Sequence, residues 1–172
     1  MLKLQGIAVS SGVTIGEALV LDSEGFRIPR RFVARSAVDT ELQRLSNAIA
    51  ESTAEIKKNR DAVRGELGEQ YAAIFDAHLA MLHDQRLQEE LTSAVRERNW
   101  WPEYAVSRTL RRYAKVFQNL DNHIAQRAHD IYDIEKSLLR NLLGQRRETL
   151  ASISEPVVIL AHNLTPSETA NL

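Results

Sequence analysis

The chain has 172 residues and no cysteine, which excludes disulfides, thiolate nucleophiles and cysteine-ligated metals. Its 22 Lys and Arg balance 23 Asp and Glu to a net charge of −1, which argues against nucleic acid or an anionic membrane as the main partner. Because it also lacks an apolar run of the roughly 20 residues that span a bilayer and the basic start of a signal peptide, we predict a soluble cytoplasmic protein without membrane insertion.

Two short strands are the first predicted elements. The segments LQGIAVSSG (residues 4–12) and GEALVLD (residues 16–22) are apolar, and glycines lie between them, as in strands joined by a turn. The connecting SSGVTIG lacks the lysine and the strand–loop–helix order of a phosphate-binding loop. We therefore interpret it as a turn.

A helical block follows, because no glycine and only one proline occur between Gly68 and Gly144, and both residues weaken helix interiors. Near-heptad apolar spacing predicts one long helix over about 39–66, with Ser52 and Asn59 as polar positions in its apolar stripe. Four more helices are predicted, one over about 69–83 and three from apolar stripes that span 87–95, 106–120 and 124–142, and Gly144 suits the left-handed position after the last of them.

The segment EPVVILAHN (residues 155–163) predicts a third strand, separated from the first two by the whole helical block. Three strands need further structure to cover them. The predicted fold is therefore mainly α, with an antiparallel helical bundle (33–146) inserted into a partial β/α domain that is discontinuous in sequence (1–24 and 148–172).

The end of the chain carries the signals of a helix start. Thr165 is a suitable N-cap, Pro166 occupies the first helical position and Glu168 lies three residues after the cap. A helix rarely ends so soon after its cap, because a short nucleus is unfavourable. We therefore interpret the chain as the front of a longer protein.

The histidines do not have the spacing of a metal site. His78 and His83 are five residues apart, and His123 and His129 are six apart, whereas a spacing of four places two imidazoles on one helix face. His78 falls in the apolar stripe of its predicted helix, so we interpret it as a hydrogen-bonded core residue. We predict no metal site in this chain.

No motif of nucleophilic catalysis or nucleotide binding is found in the sequence, so no catalytic residue is predicted. Trp100 and Trp101 precede Pro102, and we interpret them as packing at a helix junction, since no basic groove accompanies them to hold nucleic acid. These patterns alone describe a helical interaction module attached to an incomplete α/β unit.

Four segments together resemble enzyme I of the bacterial phosphoenolpyruvate-dependent sugar phosphotransferase system, a phosphoenolpyruvate-protein phosphotransferase. They are GIAVSSGVTIGEALVL (6–21), IFDAHLAMLHD (74–84), RAHDIYDIEKSLLRNLLG (127–144) and VVILAHNLTPSETANL (157–172). They occur in the family's order and spacing and cover essentially the whole chain. The second and third are the more specific, because the inserted helical domain that carries them distinguishes enzyme I from other phosphohistidine swivelling enzymes.

The resemblance implies that separate domains of a longer protein carry separate functions. In the family a β/α domain carries the phosphorylated histidine, the inserted helical domain docks the phosphocarrier HPr, and a carboxyl-terminal barrel binds phosphoenolpyruvate and Mg²⁺. The active histidine lies in a Gly-Gly-x-x-Ser-His motif that this sequence does not contain. We therefore expect the chain alone to be inactive, with Mg²⁺, phosphoenolpyruvate and the homodimer contacts outside it.

The resemblance also assigns site residues. The positions that match the family's HPr-docking surface are Gly68, Glu69, Met81, Asp84, Leu87 and Arg127. Thr165 and Ser167 match residues beside the phosphohistidine and are expected to support that pocket, although helix capping also explains them. The acidic positions suit HPr, which presents basic residues near its histidine.

This sequence departs from the family pattern at Gln70, where a second acid is common, at Ala80, where a larger apolar residue is usual, and at Arg86, where an acid is usual. Arg86 adds repulsion toward a basic partner. Two alternatives stay open, a paralogous nitrogen-branch or multiphosphoryl transferase and a stand-alone helical adaptor that binds a protein without phosphoryl transfer.

Overall fold

The structure is a computed structural model, described for residues 12–21, 28–119, 127–144 and 157–161. In chain order its elements are β1 (Glu17–Leu21), a short 3₁₀ helix (Arg35–Ala37), α1 (Val38–Leu67), α2 (Glu69–Leu82), α3 (Gln85–Arg96), α4 (Pro102–Gln118), α5 (Ala128–Leu142) and β2 (Val157–Ala161). The helices form a bundle around one apolar core, and the two strands form a small parallel sheet.

Helix α1 is the long helix that the apolar spacing predicts. Its buried positions recur every three or four residues, as expected for one face of an α-helix, and they are Leu45, Ala48, Ser52, Ile56, Asn59 and Val63. Ser52 is buried because its hydroxyl hydrogen-bonds the side-chain amide of Asn141 on α5 at 2.9 Å. The chain then reverses at Gly68, whose φ of 97° suits glycine, and α2 packs against α1.

Helix α4 begins at Pro102, four residues before Val106, the first residue of the apolar stripe that predicts it. Pro102 takes the first helical position, where its lack of an N–H has no cost because that group has no helical partner. Helix α4 packs along α5 through apolar residues such as Val106, Leu110 and Leu138, all fully buried. The predicted beginning of the last helix near residue 124 lies outside the described residues.

Arg44 joins three helices at the end of the bundle where α1 and α4 begin and α5 ends. Its guanidinium donates to the Leu142 carbonyl at 2.9 Å and to the carboxylate of Glu103 at 2.5 Å, and it also pairs with Glu41. Glu103 is almost fully buried. A buried carboxylate requires such a partner. This contact therefore fixes the beginning of α4 and the end of α5 relative to α1.

The strands come from opposite ends of the chain and pair directly. Strands β1 and β2 run parallel, with Glu17 opposite Val157 and Leu21 opposite Ala161. Both strands are predicted from sequence and are confirmed, and so is the mainly helical fold class. The first predicted strand (4–12) lies outside the described residues, and the domain limits 1–24, 33–146 and 148–172 stay a prediction.

Glycines at two positions lead to opposite predictions for the same substitution. Gly144 follows α5 with a φ of +63°, as the sequence predicts, whereas Gly65 lies inside α1 with open space around its Cα. We expect Gly144→Ala to lower the free energy of unfolding by about 1 kcal/mol and Gly65→Ala to raise it by about 0.5–1 kcal/mol. Urea unfolding of both variants checks this, and the same sign for both would contradict the placement of Gly65 within α1 or of Gly144 beyond the end of α5.

Candidate partner-binding site

Side-chain contacts bring four helix segments to one region of the bundle. His78 on α2 lies 3.5 Å from Asp130 on α5 through its Nε2. The amide of Gln118 at the end of α4 donates to the Tyr132 hydroxyl on α5 at 3.3 Å, and the Tyr113 hydroxyl on α4 donates to Glu90 on α3 at 2.8 Å. The second half of α2, the middle of α3, the second half of α4 and the start of α5 are therefore linked by contacts, and the start of α3 directly follows the end of α2.

Several side chains of these segments reach the surface, and we call Ile74, Met81, Asp84, Val116 and Arg127 the docking face. Ile74 and Met81 are seven residues apart and lie on the same edge of α2, where both are half-buried against the core. Val116 in the last turn of α4 is 54% exposed. These side chains offer apolar contact to a partner, and methionine adapts its shape readily.

Asp84 provides a fixed negative charge at the start of α3. Its side chain is exposed, and one carboxylate oxygen accepts a hydrogen bond from the backbone N–H of Leu87 at 2.8 Å, so Asp84 is the N-cap of the helix. A capping residue has little rotamer freedom. The carboxylate is therefore held in one orientation.

Arg127 is held in place by Asp130, which in turn lies beside His78. Its guanidinium is 55% exposed and donates to Asp130 at 3.2 Å. Burial favours the neutral form of Asp130, but the neighbouring imidazole of His78 and the guanidinium of Arg127 outweigh it and lower the pKa of this carboxyl. His78 is 1% exposed, and its Nδ1 lies 3.7 Å from Asp133. The buried imidazole lies between α2 and the start of α5, which confirms the core position predicted for His78, although its Nε2 forms no hydrogen bond.

Gly68 and Glu69 lie at the other end of α2 from Met81. Twelve residues separate Glu69 from Met81, which is about 18 Å along a helix. Glu69 also pairs with Arg64, whose Nε lies 2.7 Å from its carboxylate. The structure therefore does not gather the six predicted docking residues into one cluster, and Arg64 partly neutralises the charge of Glu69.

Leu87 is placed differently from its predicted role. It is 1% exposed and belongs to the core together with Leu91 and Val95, which line the same face of α3. The Asp84 cap sets the start of α3 so that Leu87 turns inward. An exposed anchor for a partner must be reachable, so we assign Leu87 to the core instead.

The remaining residues singled out from the sequence lie either outside the described part of the chain or on its surface. Thr165 and Ser167 lie outside the described residues. Gln70, Ala80 and Arg86 are exposed on the helices of the bundle. Within the described ranges, no group of three or more potential ligand residues is arranged to hold a metal ion. Sequence reasoning did not select Val116, because only the packing of α4 brings it beside α3.

Comparison with known proteins identifies the family of this chain and solved structures with a similar fold. The family model described as "PEP-utilising enzyme, N-terminal" matches residues 5–127. The chain is 36% identical over 171 residues to the phosphoenolpyruvate-protein phosphotransferase of Priestia megaterium, covering 99% of this chain and 30% of that protein. The counterpart in Bacillus subtilis is 34% identical over 173 residues, with the same 30% coverage. The chain thus spans about 30% of the length of these curated relatives.

Two solved structures are similar along nearly the whole chain. The solution structure of enzyme I (nEIt) superimposes with a TM-score of 0.81 at 31% identity, covering 99% of this chain and 69% of that one. The amino-terminal domain of "Enzyme 1 - Nitrogen" gives a TM-score of 0.72 at 25% identity, covering 94% and 66%. Among the described residues, no helix combines the length and the apolar character that a membrane span needs.

Proposed function

Since the chain belongs to the family of amino-terminal regions of PEP-utilising enzymes, we propose that it is the carrier-docking part of a cytoplasmic phosphoenolpyruvate-protein phosphotransferase of the enzyme I type. The whole protein takes a phosphoryl group from phosphoenolpyruvate and passes it through a phosphohistidine to an HPr-like carrier during sugar uptake. Phosphoenolpyruvate, Mg²⁺ and the homodimer contacts lie outside these 172 residues. Thr165 and Ser167 then support the phosphohistidine pocket.

The docking face is the observation that carries this proposal. It combines half-exposed apolar side chains from α2 and α4 with the fixed carboxylate of Asp84 and the positioned guanidinium of Arg127. A mixed surface with an apolar centre and a charged rim is typical of protein–protein contacts. Of the two solved structures, that of the nitrogen branch is the less similar, which favours the sugar branch for the partner.

Met81 is the apolar contact expected to matter most for the carrier. We predict that Met81→Ala in the 172-residue chain weakens binding of the HPr-like carrier of Bacillus subtilis by about 1–2 kcal/mol, as for a truncated interface anchor. Fluorescence anisotropy of the labelled carrier measures this. Leu67→Ala is the matched control, because Leu67 is 60% exposed at the far end of α1. An equal loss in both variants would move the contact away from the docking face.

Asp84 is expected to act on the rate of association. Asn caps a helix as well as Asp, so Asp84→Asn removes the charge and keeps α3 intact. We predict that it slows association with the carrier about twofold to fivefold at low salt and changes dissociation little. Stopped-flow mixing measures both rates. Glu51→Gln, an exposed position on α1, is the control, and an unchanged association rate for Asp84→Asn would remove the carboxylate from the encounter.

A further inference from the structure

The segment before α1 is fixed to the connection between α3 and α4 by a short antiparallel ladder. The backbone N–H of Val33 donates to the Asn99 carbonyl at 2.7 Å, and that of Trp101 donates to the Arg31 carbonyl at 3.1 Å. Phe32 and Trp100 form the antiparallel bridge between these bonds. Two stretches that are far apart in sequence are therefore held side by side.

Three arginines of these two stretches lie over aromatic rings. The guanidinium carbon of Arg30 is 5.0 Å from the centre of the Phe32 ring, and that of Arg98 is 5.1 Å from the Trp100 ring. Phe32 and Trp100 are directly paired, so their side chains lie on the same face of the pairing, and Arg30 and Arg98 lie over their rings. Arg31 lies 5.1 Å from the Trp101 ring. We call these six residues the arginine–aromatic patch.

The arginine–aromatic patch is exposed and carries three guanidinium groups, of which that of Arg98 also interacts electrostatically with Glu90. Phe32 is 59% exposed, and Arg30, Arg31 and Arg98 all lie on the surface. In the part of the chain that the structure describes, none of these three guanidinium groups forms an ion pair with a carboxylate. A guanidinium stacked on a ring keeps its N–H edge free for an anion.

We propose that the arginine–aromatic patch binds an acidic segment of a protein partner, whose carboxylates meet the guanidinium edges and whose apolar side chain contacts Phe32. Carboxylates fit because a guanidinium edge binds them through two parallel hydrogen bonds. Nucleic acid fits less well, because its bases need open ring faces, and Arg30, Arg31 and Arg98 already cover one face of each ring.

This surface is separate from the docking face. The arginine–aromatic patch lies at the beginning of α4, and Val116 of the docking face lies in its last turn. The helix has 17 residues, which corresponds to about 25 Å. An acidic partner and a carrier that presents basic residues can therefore occupy the bundle at the same time.

The two tryptophans of the chain are both in the arginine–aromatic patch, so intrinsic fluorescence reports on it directly. The probe is a synthetic peptide of sequence Glu-Glu-Phe-Glu-Glu, titrated into the 172-residue chain. We expect a saturable change in tryptophan emission that weakens as salt is added. Arg30→Ala and Arg98→Ala should each weaken binding about threefold to fivefold, the factor for one exposed ion pair. Lys115→Ala, an exposed cation in the last turn of α4, should leave binding unchanged.

Several results would overturn the proposal. They are the absence of a saturable change, unaltered binding by both arginine variants, an equal loss with Lys115→Ala, and tighter binding of an oligothymidylate than of the peptide. Saturating peptide should leave titration of the HPr-like carrier unchanged. Competition between the peptide and the carrier would place the peptide on the docking face and also contradict the proposal. If the carrier does not bind even without peptide, that result contradicts only the proposed function.

Discussion

Replacing Leu87 with alanine should lower the free energy of unfolding by about 2–5 kcal/mol, the range for truncating a buried leucine. Leu87 is 1% exposed and lies in the core between α3 and the rest of the bundle. The substitution removes apolar contacts and leaves a cavity that closely packed neighbours fill only in part. Urea unfolding followed by circular dichroism measures the loss. Leu67→Ala, the same change at an exposed position, should alter stability by less than about 0.5 kcal/mol.

The same variant separates a core role for Leu87 from a docking role. At a temperature where Leu87→Ala is fully folded, we expect it to bind the HPr-like carrier with the affinity of the wild type, because the side chain is not reachable. Unchanged stability together with weakened binding would restore Leu87 to the docking surface and contradict its assignment to the core.

Replacing His78 with leucine should lower the free energy of unfolding by about 3–5 kcal/mol, as when a buried carboxylate loses the group beside it. His78 lies between the nearly buried carboxylates of Asp130 and Asp133. Leucine fills much of the volume but leaves these carboxylates without the imidazole, although Arg127 still reaches Asp130. A loss of less than about 1 kcal/mol, the size of a weak surface pair, would show that the cluster contributes little.

The effect of His78→Leu should depend on pH with a defined sign. The pKa of Asp130 is lowered in the folded chain, so its stabilising contribution is present above the unfolded pKa and is lost as the pH falls through the folded pKa. Burial raises the pKa of Glu135, which acts in the opposite direction, but wild type and variant share that residue. We therefore expect the difference in unfolding free energy between them to be largest near neutral pH and to shrink in acid, and a difference that grows in acid would be inconsistent with the cluster.

Local patterns were sufficient to predict the helices. The long α1, the reversal at Gly68, the buried His78 and the left-handed Gly144 all follow from residue spacing and backbone preference. The apolar stripe of α4 begins at Val106 and does not fix the start of the helix at Pro102, where proline is favourable at the first helical position. The resemblance to enzyme I, based on four segments, is confirmed by the family match and the solved structures.

The surfaces were harder to predict, because they depend on contacts between distant segments. A family motif indicates that Leu87 belongs to a functional helix, but not which way the side chain points. Val116 joins the docking face only through the pairing of α3 with α4. The arginine–aromatic patch combines residues 30–32 with residues 98–101, and neither stretch alone resembles a binding surface. The sequence therefore indicates two adjacent tryptophans but not the arginines that lie over their rings.

The most direct test of the docking role is an NMR titration of the ¹⁵N-labelled chain with an unlabelled HPr-like carrier, following each backbone amide. We expect shifts concentrated in the second half of α2, the first turn of α3, the last turn of α4 and the first turn of α5, with Met81 and Asp84 among the most affected residues. The amides of residues 30–33 and 98–101 should not move. Shifts centred on those residues, or no shifts at all at saturating carrier, would contradict the docking face.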